Sequence, residues 1–254
     1  MNFLRKFRDL DHLTEAIVSR FREEAKQAAS ENQVYSVVLT GGNTAAKIYS
    51  LFAEPGFKDE IPWEFVHLFW TDERCVPRES NESNFGTAHR AFLNGLSIPD
   101  ENIHRIHGEN DPAIEADRYA CEIQSHLKLR NNSKYCFDWV LMGLGMDGHT
   151  ASLFPGQEAL LNPQGFCDVA EHPETKQKRI TLTAPMLQRA KHITYHVVGS
   201  EKAEVISELI SESSESQKYP AARIHGEWYL DKAAASSLNH LLEKPFTGWL
   251  KAGR

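Results

Sequence analysis

Asp147 and His149, separated only by Gly148, set a carboxylate beside a titratable imidazole, a pairing suited to general acid–base chemistry. They lie in the stretch Leu141-Met-Gly-Leu-Gly-Met-Asp-Gly-His-Thr-Ala-Ser-Leu-Phe-Pro-Gly156. Its glycines permit backbone conformations and close approaches that other residues do not. They follow an apolar run, Phe137–Met142, that reads as a strand, so the pair belongs at a strand's carboxyl end, where open α/β sheets bind ligands. The same glycines, Gly143-x-Gly145-x-x-Gly148, match a dinucleotide-binding fingerprint. That fingerprint has to open a helix, and Pro155-Gly156 stops any helix within two turns. Asp168, the acidic residue at the downstream spacing, falls in a region with no clear strand. A base-bearing turn is therefore preferred to a nucleotide cradle, while a plain capping or surface role for His149 stays open on this segment alone.

Other segments point to an anion. Thr40-Gly41-Gly42-Asn43-Thr44 lies between a strand and a helix, where backbone N–H groups are exposed to negative charge. It is a near miss to a P-loop: Ala46 stands where glycine is required and Ile48 replaces the metal-binding hydroxyl. That disfavours nucleoside triphosphates and leaves either a simple phosphate ester or an ordinary tight turn. Lys202 is expected in the first turn of a helix after Gly199-Ser200, where the macrodipole disfavours a cation by about 0.3–1 kcal/mol. A bound anion would reverse that sign. Asp72-Glu73-Arg74 ends another strand, and Arg74 suits either a phosphate or a neighbouring carboxylate. Asn84 and Arg179 are weaker candidates of the same kind.

The remaining histidines carry less. His104 and His107 have a spacing compatible with metal binding, but no carboxylate or cysteine pattern completes a site. His192 and His196 share a face of an expected strand and read as core or sheet surface. No G-x-S-x-G is present, which argues against a nucleophile-elbow hydrolase, and Ser152 reads as loop structure.

The elements that must position these groups follow from periodicity. Leu13, Ile17, Phe21 and Ala25 recur every four residues, predicting an amphipathic helix over about Leu10–Ala29. Val34–Thr40 predicts a strand and Thr44–Phe52 a helix. Phe65–Trp70 predicts a further strand. Asp111 followed by Pro112 reads as an N-cap and first-turn proline, opening a helix with Tyr119, Ile123 and Leu127 on one face. Arg179–Thr183 and His192–Val198 are further strand candidates, and Glu201–Ile210 a helix. Ser211–Gln217 reads as a solvated loop. Strands alternating with helices predict a Rossmann-like α/β fold, a mainly parallel sheet with helices on both faces. No linker or repeat divides residues 1–254, so one domain is expected.

The 254 residues are 41% hydrophobic and 25% charged with a net charge of −7, a soluble globular balance that argues against a general nucleic-acid binder. Apolar runs are too short for a membrane span, and the N-terminus lacks a signal-peptide core. Cys75, Cys121, Cys136 and Cys167 show no C-x-x-C spacing, which suits reduced thiols and a cytoplasmic protein.

Taken in order, Leu39-Thr-Gly-Gly-Asn-Thr44, Trp70-Thr-Asp-Glu-Arg-Cys-Val-Pro77 with Glu82-Ser-Asn84, Gly145–Gly156, Arg179-Ile-Thr-Leu-Thr183 and Val198-Gly-Ser-Glu-Lys-Ala203 resemble the 6-phosphogluconolactonase family. One departure is Asn43-Thr44-Ala45, where the family usually has Ser-Thr-Pro. The resemblance implies hydrolysis of a phosphosugar lactone in the pentose phosphate pathway, with no metal or organic cofactor. It also implies the fold shared with glucosamine-6-phosphate deaminases and ribose-5-phosphate isomerases. Under it, His149 and Asp147 are the expected catalytic pair. Gly41, Gly42, Asn43, Thr44, Asp72, Arg74, Asn84, Arg179 and Lys202 are the expected substrate contacts. No nucleic-acid or membrane partner is expected, and the chain is expected to be a monomer or weak homodimer. Two alternatives are an amino-sugar-phosphate deaminase/isomerase and a non-catalytic sugar-phosphate sensor. Deaminases resemble this chain at Asp-Gly-His but continue Ile-Ala-Phe-Asn-Glu-Pro; here Ser152-Leu153-Phe154-Pro155 lacks that glutamate.

Overall fold

Short runs of β-branched and aromatic residues alternate with amphipathic helices, and the chain winds them into two sheets. The computed structural model describes residues 4–129, 136–161, 164–211 and 213–238, with the side chains of 127–129 outside that description. The strands are β1 (Leu4–Phe7), β2 (Tyr35–Leu39), β3 (Val66–Trp70), β4 (Asp72–Arg74), β5 (Phe137–Met142), β6 (Cys167–Glu171), β7 (Lys178–Leu182), β8 (Ala190–Val197) and β9 (Glu227–Asp231). The helices are α1 (Leu10–Ser30), α2 (Asn43–Phe52), α3 (Pro55–Lys58), α4 (Asn84–Ala91), α5 (Pro112–Leu129), α6 (Ala184–Leu187) and α7 (Ala203–Ile210).

The larger sheet has six strands in the order β1-β9-β8-β5-β2-β3, and every neighbouring pair in it is parallel. All five residues of β2 are buried and β5 is buried except for Asp138, as expected for a parallel sheet covered on both faces. Helix α1 is capped by Asp9, whose carboxylate accepts from His12 N at 3.1 Å. Its predicted stripe, Leu13, Ile17, Phe21 and Ala25, is fully buried. Phe21 meets Phe52 of α2 at 4.6 Å between ring centroids and Tyr35 of β2 at 5.3 Å, locking helix to sheet. Burying a phenylalanine of this kind contributes roughly 1.5–3 kcal/mol.

From β2 the chain steps outward to β3 and later crosses back to β5 on the other side of β2. The loops leaving β2 and β5 therefore diverge, which opens a crevice at the sheet's carboxyl edge. Those two loops are Gly41–Thr44 and Gly143–His149.

Several sequence expectations change. Asp72–Arg74 is not merely a strand end: it forms β4, which pairs antiparallel with β7 in a separate three-stranded sheet, β4-β7-β6. The segment expected as Arg179–Thr183 thus lies outside the parallel sheet. The region around Asp168, read as having no strand, forms β6. Its alternation of exposed and partly covered residues is too weakly apolar to stand out. The helix expected from Glu201 begins as a 3₁₀ turn, Ser200–Lys202, and becomes α-helical only at Ala203, so Lys202 is the N-cap of α7. Part of the stretch expected as a loop forms a 3₁₀ turn at Ser214–Lys218 with Ser216 buried, whereas residue 212 lies outside the described residues. Helix α5 opens as expected, with Asp111 accepting from Ala113 N and Ile114 N. The Leu127 side chain is outside the described residues. Among the described residues no helix is long and apolar enough to cross a membrane.

Candidate active site

A cavity of about 460 Å³ occupies the crevice at the carboxyl edge. Gly41, Gly42, Asn43, Thr44, Asp72, Arg74, Asn84, His149, Arg179 and Lys202 all line it. Asp147 is not in the wall; it sits behind His149.

His149 owes its position to the glycines of the turn. Its Nδ1 lies 2.5 Å from Asp147 Oδ1, and the same oxygen accepts from the His149 backbone N–H at 3.2 Å. Engagement of Nδ1 fixes the ring and leaves Nε2 as the nitrogen for proton transfer. Gly145 closes the turn, donating its N–H to His149 O at 2.8 Å. A Cβ there would overlap His149 Nδ1 and stand 2.6 Å from Asp147 Oδ1. Gly148 has φ of +76°, a region that favours glycine. Partial burial pushes the Asp147 carboxyl up, but the His149 hydrogen bond and charge outweigh burial and hold it down at about 2. Because this folded value lies below the unfolded one of about 3.9, the carboxylate's contribution to stability is fully present above the unfolded value and is lost as pH falls through about 2.

Cations also line the cavity. Arg74 and Arg179 are direct cross-strand partners in the β4–β7 pair, so the small sheet puts two like charges side by side. Burial, and then the Arg74 charge, lower the Arg179 guanidinium from its ordinary value. The buried Nε atoms of both arginines have no hydrogen-bond partner among the described residues. Arg74 donates through Nη1 to the backbone oxygen of Glu82 at 2.5 Å, and Arg179 stands over the Phe154 ring at 5.6 Å. Lys202 faces the same space; burial lowers its ammonium against the opposing pull of Glu201 and Asp147. Helix α2 begins after Gly42 (φ +102°) without a side-chain cap, so its first-turn N–H groups remain available to an anion.

Two carboxylates brace this lining. Asp72 Oδ2 accepts from Ser152 Oγ at 2.6 Å, so Ser152 ties the His149 loop to β4, a specific role where a plain loop residue was expected. Glu73 is 2% exposed and caps α4: Oε1 accepts from Asn84 N and Arg74 N, and Oε2 from Phe85 N and Ser83 Oγ. Burial raises its carboxyl while these donors lower it, with a net upward shift. Asn84 in turn donates to Asp72 O at 2.9 Å and lies so close over Gly41 that a Cβ there would overlap its Oδ1. Removing Glu73 strands several buried donors, each costing about 1–3 kcal/mol. Glu73→Ala is therefore expected to lose at least about 3 kcal/mol in urea unfolding. A loss within 0.5 kcal/mol, roughly that of an ordinary surface change, would remove it as the brace.

Some lining residues were not anticipated. His196, expected as core or sheet surface, is 3% exposed yet belongs to the cavity wall at the end of β8. Burial lowers its imidazole to about 4, so it is neutral near pH 7. Its place at a carboxyl strand end, shared with Asp72 and Gly143, was the available signal. His104 and His107, whose spacing alone completed no metal site, do not pair; His104 lies instead with His67 and His126, remote in sequence.

A family profile described as glucosamine-6-phosphate isomerases/6-phosphogluconolactonase matches residues 8–230. A relative from Aggregatibacter actinomycetemcomitans named 6-phosphogluconolactonase is 37% identical over 243 residues, covering 94% of this chain and 100% of its own. A solved structure named devB protein superposes with a TM-score of 0.85 at 37% identity, over 94% of this chain and 100% of that one. A monomeric glucosamine-6-phosphate deaminase shares the fold at a TM-score of 0.78 and 16% identity, over 92% of this chain and 99% of its own.

Proposed function

The chain belongs to the glucosamine-6-phosphate isomerase/6-phosphogluconolactonase family, and we propose that it hydrolyses 6-phospho-D-glucono-1,5-lactone to 6-phosphogluconate in the pentose phosphate pathway. The observation that carries this reading is one cavity lined both by His149, which Asp147 holds from behind, and by two partner-poor arginines. A lactone ester that carries a phosphate needs both.

In this reading the phosphate rests against the Gly41–Thr44 amides, Lys202 and Arg74. His149 Nε2 takes a proton from a water whose oxygen attacks the lactone carbonyl carbon. The tetrahedral oxyanion is stabilised by Arg179 or by backbone N–H groups. As the bond from that carbon to the ring oxygen breaks, the imidazolium returns the proton to the leaving oxygen. Asp147 holds the ring and offsets the charge it gains.

The deaminase/isomerase alternative is weaker, because Ser152-Leu153-Phe154-Pro155 supplies no carboxylate to the turn and Ser152 is committed to Asp72. The deciding assay supplies freshly generated lactone and follows 6-phosphogluconate above the spontaneous background, with ammonia release from glucosamine 6-phosphate as the parallel arm. Ammonia release without catalysed lactone loss would transfer the assignment to the alternative; neither activity would favour a sensor.

Lys202→Ala is expected to raise KM roughly tenfold or more with kcat little changed, since a charged hydrogen bond to phosphate serves ground and transition states alike. An unchanged KM would remove Lys202 from phosphate binding. We read residues 1–254 as one domain acting in the cytoplasm. A single hydrophobic core that includes Val37 and Trp139 of the large sheet and Ile180 and Leu182 of the small one supports the first. Free thiols at Cys75, Cys121 and Cys167 suit the second.

A further inference from the structure

His67, His104 and His126 come from three separate elements and converge. His67 is the second residue of β3, His104 follows a 3₁₀ turn and is held by its backbone N–H to Leu68 O at 2.8 Å, and His126 lies on α5. One ring nitrogen from each lies within 4.8 Å of the others. His67 Nδ1 lies 2.9 Å from His104 Nε2, at hydrogen-bond distance. A tetrahedral ion with bonds of about 2.0–2.1 Å sets its nitrogen ligands about 3.4 Å apart, inside the range these side chains span.

The surroundings are those of a ligand set. The other nitrogen of His104, Nδ1, contacts Glu122 Oε1 at 2.7 Å, the carboxylate-behind-imidazole arrangement that orients and strengthens a metal-binding histidine. Glu122 sits four residues before His126 on α5, and Arg118 pairs with its second oxygen at 2.5 Å. His126 is 4% exposed and lies with Nε2 at 2.6 Å from Ser36 Oγ on β2. Phe69 stacks on His104 at 4.2 Å between ring centroids, fixing that ring's plane. None of these residues lines the active-site cavity.

We propose that His67, His104 and His126 bind one divalent zinc-type cation, with water as fourth ligand and Glu122 orienting His104. Imidazole donors without thiolates or a carboxylate cage suit zinc rather than magnesium or calcium. Since none of the three histidines lines the active-site cavity, the ion's role is to clip β3, the 103–104 segment and α5 together.

The test uses the full chain, stripped with chelator and titrated with Zn²⁺ by calorimetry and with Co²⁺ by visible absorption. One equivalent of saturable binding, tetrahedral cobalt bands and a rise in Tm are expected. His104→Gln should abolish the cobalt bands and the Tm response. Glu122→Gln, which keeps side-chain shape, should weaken binding about 10–100-fold. Retained activity of both metal-free variants on a lactone substrate, or an unchanged circular dichroism spectrum, shows that they fold. No stoichiometric binding by the parent, or equal affinity in folded His104→Gln, would overturn the site.

Discussion

His149→Ala is expected to lower kcat by at least about 100-fold, because positioned acid–base catalysis contributes about 10²–10⁴ in rate. The geometry gives the loss its character. Asp147 engages Nδ1 only, so the substitution removes the single nitrogen offered for proton transfer and leaves the cationic wall untouched. KM should consequently change little, and the effect should fall on kcat and kcat/KM alike. The measurement is initial rate on freshly generated lactone with spontaneous hydrolysis subtracted. Turnover within about threefold of the parent would rule out His149 as the base. Asp147→Asn retains the shape and loses the charge, and is expected to fall between the two.

Gly145→Ala is expected to approach the same loss without touching a reacting group. The added methyl would occupy space held by His149 Nδ1 and the Asp147 carboxylate, so the pair has to swing away. A displacement on the order of 1 Å can cost about 100-fold in rate. The nearest neighbours of that methyl are side chains of an exposed turn rather than the core, so the melting temperature should shift by only a few degrees, corresponding to less than about 1 kcal/mol. Loss of rate with retained stability separates displaced chemistry from unfolding. Full activity in Gly145→Ala would show that the imidazole needs no glycine-built seat.

Much of the large sheet was legible because its residues report their surroundings. Phe137–Met142 coincides with β5, and the α1 stripe at Leu13, Ile17, Phe21 and Ala25 is the buried one, since each register faces one environment throughout. The small sheet was harder. β4 is three residues long and polar, and β6 alternates exposed and partly covered positions, so neither carries an apolar period. Their pairing depends on β7 returning from far along the chain, which no local window contains. The same limit explains Arg74 and Arg179: each looked like a cation at a strand end, but their adjacency exists only through the β4–β7 register. Glu73 was visible in its triplet, yet its role as a cap required knowing that α4 starts at Asn84. His67, His104 and His126 are a still clearer case, for proximity across three elements leaves no spacing to read.

The imidazole is mounted on the parallel sheet and the paired arginines on the antiparallel one, and the Ser152–Asp72 hydrogen bond and the Leu182 N–H to Thr71 O bond join the two. The imidazole and the arginine pair are thus borne on separate supports that meet along a seam. A substitution in the antiparallel ribbon can therefore alter the arginine pair while leaving the Asp147–His149 turn in place. Such a division makes the seam, rather than either sheet, the place that sets how the arginine pair is aligned with the imidazole.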